Sequence, residues 1–256
     1  MITDKNSIIK IKTDLDGSAI VTVYCENKIR SVNLAIRLPS GGSFQTDLQI
    51  NDKKAIGNFR IPSPELWNLN TPSLYGFTAY ISTDGGDEKA EGKFAFRTVS
   101  TNGKNICING TPIFVRGYIR GATAHEHSND AHLSEKNFYR KNILQAKKFG
   151  FNMVRFHSAV PNETFFDVAD ELGMLVHIEL RPPHDIYNNL EEMVTTGTAI
   201  VPDEFLNEVV NKNYNHPSLT VYCIGNEIKN APNGTVKAIK EKIDALDGTR
   251  LFLDTW

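Results

Sequence analysis

The stretch at 151–180, FNMVRFHSAVPNETFFDVADELGMLVHIEL, decides the fold. Its ends, "FNMVRFH" and "MLVHIEL", are short apolar runs of strand length. Between them, "PNETFFDVADELG" repeats its apolar residues at helical spacing. Pro161 stands at its first turn and Gly173 just past its end. Strand, helix and strand on short connections form a βα unit, and successive βα units lay their strands parallel.

The same rhythm extends in both directions. Upstream, "NICINGTPIFVRGYIRG" (105–121) reads as a hairpin feeding a strand. "SEKNFYRKNILQAKKFG" (134–150) reads as a helix between Ser134 as N-cap and Gly150 as stop. Downstream, "PDEFLNEVVNKNYNH" is a helix and "SLTVYCIGNE" a strand. "TVKAIKEKIDALDGT" is a helix, and "RLFLDT" opens another strand. About five strands and four helices in this order fit either an open doubly wound sheet or a (β/α)8 barrel. No glycine-rich dinucleotide fingerprint follows any of the strands, which favours the barrel.

A barrel keeps its active residues at the C-terminal ends of its strands. Here those ends carry Arg120, Arg155 with His157, Glu179 with Arg181, Asn226 with Glu227, and Asp254. Helix capping accounts for some of these, but the set favours a polar cleft at the barrel mouth. "CIGNEI" (223–228) poses the sharpest question. An apolar strand ends there in an amide and then a carboxylate. Glu227 could cap the following helix, face solvent, or be held in place to handle a proton.

Residues 1–100 have a different period. "IIKIKTDL", "SAIVTVYCE", "RSVNLAIRLPS", "FQTDLQI", "KAIGNFRIP", "SLYGFTAYIST" and "GKFAFRTVS" alternate apolar and polar residues, and turn clusters such as "SGGS" and "DGGDE" separate them. Six or seven short strands at this spacing predict an antiparallel, immunoglobulin-like β-sandwich. Pro62, Pro64 and Pro72 bracket a loop whose Trp67 reads as core packing at one end of the sandwich.

Composition sets the outer limits. The chain has 256 residues, 40% hydrophobic and 23% charged, with a formal net charge of −2. That is enough apolar content for a core and argues against wholesale disorder. With no basic stripe, nucleic acid is excluded as an expected partner. No run reaches membrane-span length, and the start lacks the apolar core of a signal peptide, so a cytoplasmic location is favoured. Cys25, Cys107 and Cys223 are odd in number and far apart, which suits buried free thiols.

An ordered series of segments resembles glycoside hydrolase family 2, the group of β-galactosidases, β-glucuronidases and β-mannosidases. "PELWNLNTPSLY" resembles the end of its immunoglobulin-like domain, and "NGTPIFVRG" the entry to its catalytic barrel. "KKFGFNMVRFHSAVPNETFFDVADELGMLVHIEL" resembles strands two to three, and "NHPSLTVYCIGNEI" the fourth strand. The resemblance implies an immunoglobulin-like sandwich over 1–100 and an incomplete TIM barrel of about five βα units over 101–256. It implies retaining hydrolysis of a terminal β-linked sugar. Glu227 then matches the general acid/base, Asn226 the amide that binds the sugar 2-hydroxyl, and Arg155 an active-site arginine. His157 lies close to a cleft-facing position.

The chemistry agrees with this. A glycosidic oxygen leaves poorly until protonated, and a carboxyl fixed at a strand end can hold the proton. A second carboxylate about 5–5.5 Å away must attack the anomeric carbon. No residue after Glu227 matches that nucleophile, and strands six to eight have no counterpart. The expected carbohydrate substrate is therefore joined by two possible partners: a missing C-terminal half, or a second copy of the chain. Two other readings stay open, a non-catalytic carbohydrate-binding or scaffold protein and one half of a two-chain enzyme.

Some residues remain ambivalent. Arg155 could serve only as an ion-pair partner, and His157 could lie outside the site. Glu179 could bind substrate or pair with Arg181 or a neighbouring arginine. His125 and His127 could pair on a metal but lack the helical i,i+4 spacing, so a solvated loop is the expectation and no metal or cofactor is assigned.

Overall fold

The computed structural model describes residues 7–121, 130, 132–180, 201–226 and 233–254. The chain divides into two compact units. One holds residues up to Thr98 together with Tyr214–Pro217, and the other Val99–Asn213 with Ser218–Trp256.

The first unit contains two four-stranded antiparallel sheets. One is ordered β1 (Ser7–Thr13), β2 (Ser18–Cys25), β6 (Lys54–Arg60), β5 (Gln49–Asn51). The other is ordered β4 (Ser43–Thr46), β3 (Ile29–Arg37), β7 (Tyr75–Thr83), β8 (Gly86–Phe94). Period-two alternation buries one face of each sheet. On β2, Ala19, Val21 and Val23 are buried, while Ile20 and Tyr24 are exposed. They meet Leu34, Ile36, Ala79 and Ile81 from the other sheet in one core, the arrangement of an immunoglobulin-like sandwich. Trp67 is fully buried, as expected, and its N–H donates to the Phe96 carbonyl at 3.0 Å.

Two strand readings need correction. "FQTDLQI" is not one strand. It breaks between β4 and β5, which belong to different sheets. The last strand of the sandwich runs over Gly86–Phe94 rather than through "GKFAFRTVS". Its charged residues hide it, because β8 is an edge strand, where exposed charge discourages pairing with other chains.

In the second unit, β9 (Val99–Asn102), β10 (Asn105–Ile108) and β11 (Thr111–Ile113) form a small antiparallel sheet. Then β12 (Gly117–Arg120), α1 (Glu135–Lys148), β13 (Met153–Phe156), α2 (Glu163–Leu172), β14 (Leu175–Glu179), α3 (Asp203–Asn213), β15 (Leu219–Cys223), α4 (Asn233–Leu246) and β16 (Leu251–Leu253) follow in order. The five strands form one parallel sheet in sequence order, β12 to β16. Four βα steps and a fifth strand make this part of a TIM barrel.

The helix boundaries follow from local chemistry. Ser134 accepts from the Asn137 N–H at the start of α1. Asn162 caps α2, accepting from the Phe165 N–H at 3.0 Å, so Pro161 precedes the cap instead of standing in the first turn. Gly173 closes α2 in the left-handed region at φ 66°, where any other residue but Asn is costly. No helix among the described residues is long and apolar enough to cross a membrane.

The sheet has two chemically different faces. Val154, Phe156, Val176, Ile178, Tyr222 and Ile224 pack with the helices, against Phe138, Phe165, Leu206 and Ile243. The alternate residues, Met153, Arg155, His177, Glu179, Val221 and Cys223, take the opposite face, which turns inward in a closed barrel. That face is apolar at the strand starts and becomes polar towards their C-terminal ends.

Candidate active site

Arg155 is the third residue of β13 and Glu179 the last of β14, on the same inward face. Nε of Arg155 donates to Oε1 of Glu179 at 2.7 Å, and Nη2 lies 2.5 Å from the same oxygen. The Glu179 side chain is 0% exposed and that of Arg155 22%. A buried carboxylate needs such a partner, because desolvation of an unpaired charge costs several kcal/mol.

The other Glu179 oxygen is also satisfied. The Ser158 N–H donates to Oε2 at 2.6 Å. Ser158 stands at φ 51°, a left-handed conformation uncommon outside glycine. The turn after β13 thus presents a backbone donor to the carboxylate that ends β14.

The same Arg155 nitrogen, Nη2, donates to Oδ1 of Asn226 at 2.7 Å. An arginine only donates, so the amide must face it with its oxygen. The Asn226 NH₂ is thereby turned away from Arg155, where it can serve another acceptor. One guanidinium therefore ties together β13, β14 and the residue that lies three positions beyond β15.

Two neighbours tune the inward face. His177, beside Arg155 in the β13–β14 register, is 9% exposed, and its Nε2 has no hydrogen-bond partner among the described residues. Burial, helped by the positive charge of Arg155 and opposed by Glu179, pulls its pKa down to about 4, so the ring is neutral near pH 7. Cys223, beside Glu179 in the β14–β15 register, is 1% exposed. Burial pushes its thiol up to about 11, so it stays protonated, with Sγ 3.4 Å from the Gly225 carbonyl.

The structure brings together Arg155 and Asn226 of the expected site residues and adds Glu179 to them. Of the readings open for Glu179, the structure shows the pairing with a neighbouring arginine, Arg155. His157 continues the strand pairing, its N–H donating to the Arg120 carbonyl at 2.9 Å, but its side chain is exposed and outside this trio. Arg120 departs from the expected cleft. Its guanidinium lies 5.3–5.6 Å from the rings of Tyr139, Phe156 and Phe165, on the helix side of the sheet. Glu227, Arg181, His125 and His127 lie outside the described residues.

Sequence reading missed His177 and Ser158. His177 was legible in principle, since it stands two residues before Glu179 and must share its face. The Ser158 donor depends on a backbone angle that no residue-type signal marks.

Cys107 and Cys223 are buried free thiols, as expected. Cys25 is a free thiol too, but only half-buried.

The fold agrees with the comparisons to known proteins. Residues 99–253 match the family model "Glycosyl hydrolases family 2, TIM barrel domain", and residues 2–97 match "Glycosyl hydrolases family 2". A β-galactosidase of Kluyveromyces lactis is 27% identical over 264 residues, covering 92% of this chain and 24% of that protein. One from Aeromonas hydrophila is 26% identical over 198 residues, covering 75% of this chain and 19% of its own length. The crystal structure of a Parabacteroides merdae β-glucuronidase has the same fold. Its TM-score is 0.73 at 21% identity, over 96% of this chain and 33% of that one. The chain thus spans a fifth to a quarter of the length of these two curated relatives. It belongs to glycosyl hydrolases family 2.

Proposed function

We propose that this chain supplies the acid/base side of a retaining β-glycosidase site, with Glu227 as the general acid/base. The observation that carries the reading is the Arg155 guanidinium, bonded at once to Glu179 and Asn226 at the C-terminal ends of parallel strands. That bridge fixes Asn226, the residue immediately before Glu227 in the sequence.

In this reading Glu227 protonates the leaving glycosidic oxygen. It then takes a proton from the water that releases the sugar. The Asn226 NH₂ donates to a substrate hydroxyl, with its carbonyl held by Arg155. Arg155 both aims the amide and adds positive potential at the cleft floor, and His157 lines the approach from the turn after β13. The substrate is a terminal β-linked sugar, galactoside or glucuronide by analogy with the named relatives. The nucleophilic carboxylate comes from outside these 256 residues, on a further segment or a second chain, and stands about 5–5.5 Å from Glu227.

The test is product stereochemistry. The full-length gene product is given nitrophenyl β-galactoside and β-glucuronide, and the first-formed sugar is observed by proton NMR. Initial release of the β-anomer supports the reading, and initial release of the α-anomer contradicts it. Tight sugar binding with no turnover would leave a carbohydrate-binding role instead.

A further inference from the structure

His177 is a buried imidazole with no role in the chemistry above. It stands on the inward face of β14, two residues before Glu179 and level with Arg155. Its Nε2 is buried and has no partner among the described residues, an arrangement that folding does not favour. A leucine here would simply continue the apolar floor that Val221 forms beside it on β15.

Among the described residues, the charged groups facing it are few. From β13 comes the Arg155 guanidinium, and from β14 itself the Glu179 carboxylate. From β15 come Val221, which is apolar, and Cys223, whose thiol burial keeps uncharged. The Arg155–Glu179 pair therefore decides what the ring's charge state does.

We propose that His177 is a positioning residue. Its uncharged ring lets Arg155 stay on Glu179 and Asn226, and a proton on it breaks that bridge. The protonated ring repels the guanidinium and attracts the carboxylate. Both forces act against the 2.7 Å contact from Arg155 Nε to Glu179, and the repulsion of the guanidinium also acts on the bond from Nη2 to Asn226. Glu179 would turn towards the imidazolium, and Arg155 would lose the carboxylate that orients it. Asn226 would then lose the donor that turns its NH₂ towards the cleft. The depressed pKa of the ring fits this, since it places the switch on the acid side of the working range.

The effect on catalysis rests on the glycosidase reading; the effect on the bridge does not. The two are tested separately. First, the unmodified protein is labelled with ¹⁵N-arginine, and its side-chain Nε–H signals are followed from neutral pH to about pH 4 alongside its seven histidines. The Arg155 Nε–H signal, assigned with Arg155→Lys, is expected to move with the midpoint of the lowest-titrating histidine. A signal that stays fixed while that histidine titrates overturns the proposal. So does finding every histidine near its ordinary value of 6.5.

Second, kcat/KM of the full-length gene product is measured against pH for the parent and for His177→Gln. The variant should lose one proton from the steepness of the acid limb, about ten-fold per pH unit. An acid limb of unchanged steepness overturns the catalytic half of the proposal. If the parent hydrolyses neither glycoside, the glycosidase reading fails, and the arginine signal still decides the bridge.

Discussion

Arg155 and Asn226 are 71 positions apart in sequence and joined by a 2.7 Å hydrogen bond, through the nitrogen that also holds Glu179. Residues from three successive βα steps meet in one guanidinium. The bond explains how a residue beyond the end of β15 acquires a defined orientation. It also makes Arg155 the residue on which both stability and site geometry depend.

Removing Arg155 leaves Glu179 buried with the Ser158 N–H as the donor described for it. Arg155→Ala should therefore destabilise the protein by about 3–5 kcal/mol, the usual cost of orphaning a buried charge. Arg155→Lys should cost less but still lose the contact to Asn226, because an ammonium cannot reproduce the fork. Urea unfolding of the three proteins at pH 7 measures the order.

Ser158 separates strain from hydrogen bonding. Ser158→Gly should be neutral or stabilising by up to about 1 kcal/mol, since glycine accepts φ 51° freely. Ser158→Pro removes the N–H that Glu179 accepts and cannot adopt this φ, so it should destabilise by about 3 kcal/mol or more. Equal stabilities for the two variants would show that the Ser158–Glu179 contact carries no weight.

The pH dependence of stability follows from His177. Its pKa is about 4 folded, against an ordinary value of 6.5, so between these values the unfolded chain binds the extra proton. Stability should be fully present above pH 6.5 and fall as pH drops towards 4, by ~3 kcal/mol at most. His177→Leu should flatten that part of the curve. Chemical unfolding at a series of pH values reads this directly.

Asp247 provides an independent check away from the cleft. It is 2% exposed, accepts from the Tyr222 hydroxyl at 2.9 Å and pairs with Arg250 at 2.7 Å. Burial raises its pKa, but Arg250, Thr249 and Tyr222 outweigh this and hold it below 3.8. Its contribution is therefore present above about pH 3.8 and lost only below. Asp247→Asn should lower the melting temperature at pH 7, and by less as the pH falls below 3.8.

How much of this was legible in the sequence depends on which force dominates locally. The parallel sheet was readable from 151–180 because both its periods and its caps are local. Ser134 and Gly173 do what their residue types predict. The β8 edge strand was not readable, because Glu88, Lys89 and Glu91 look like loop and only pairing with β7 makes them strand. Arg155 and Asn226 were singled out by strand-end position and by the family resemblance, and the structure joins them by a hydrogen bond. Their partnership with Glu179 was left open, since a strand-end carboxylate has several arginines within reach of a linear reading. Arg120 was misplaced because strand alternation, not the strand end, decides which face a side chain takes. At β12 that face is the aromatic helix layer.

The central claim concerns Glu227, and leaving-group dependence tests it most directly. The full-length gene product and its Glu227→Gln variant are assayed on an unactivated aryl β-glycoside and on a dinitrophenyl one, which needs little protonation. The account predicts a loss of about 10²–10⁴-fold in kcat/KM on the first substrate and a much smaller loss on the second. An equal loss on both, or none on either, would contradict the assignment of Glu227 as the proton donor.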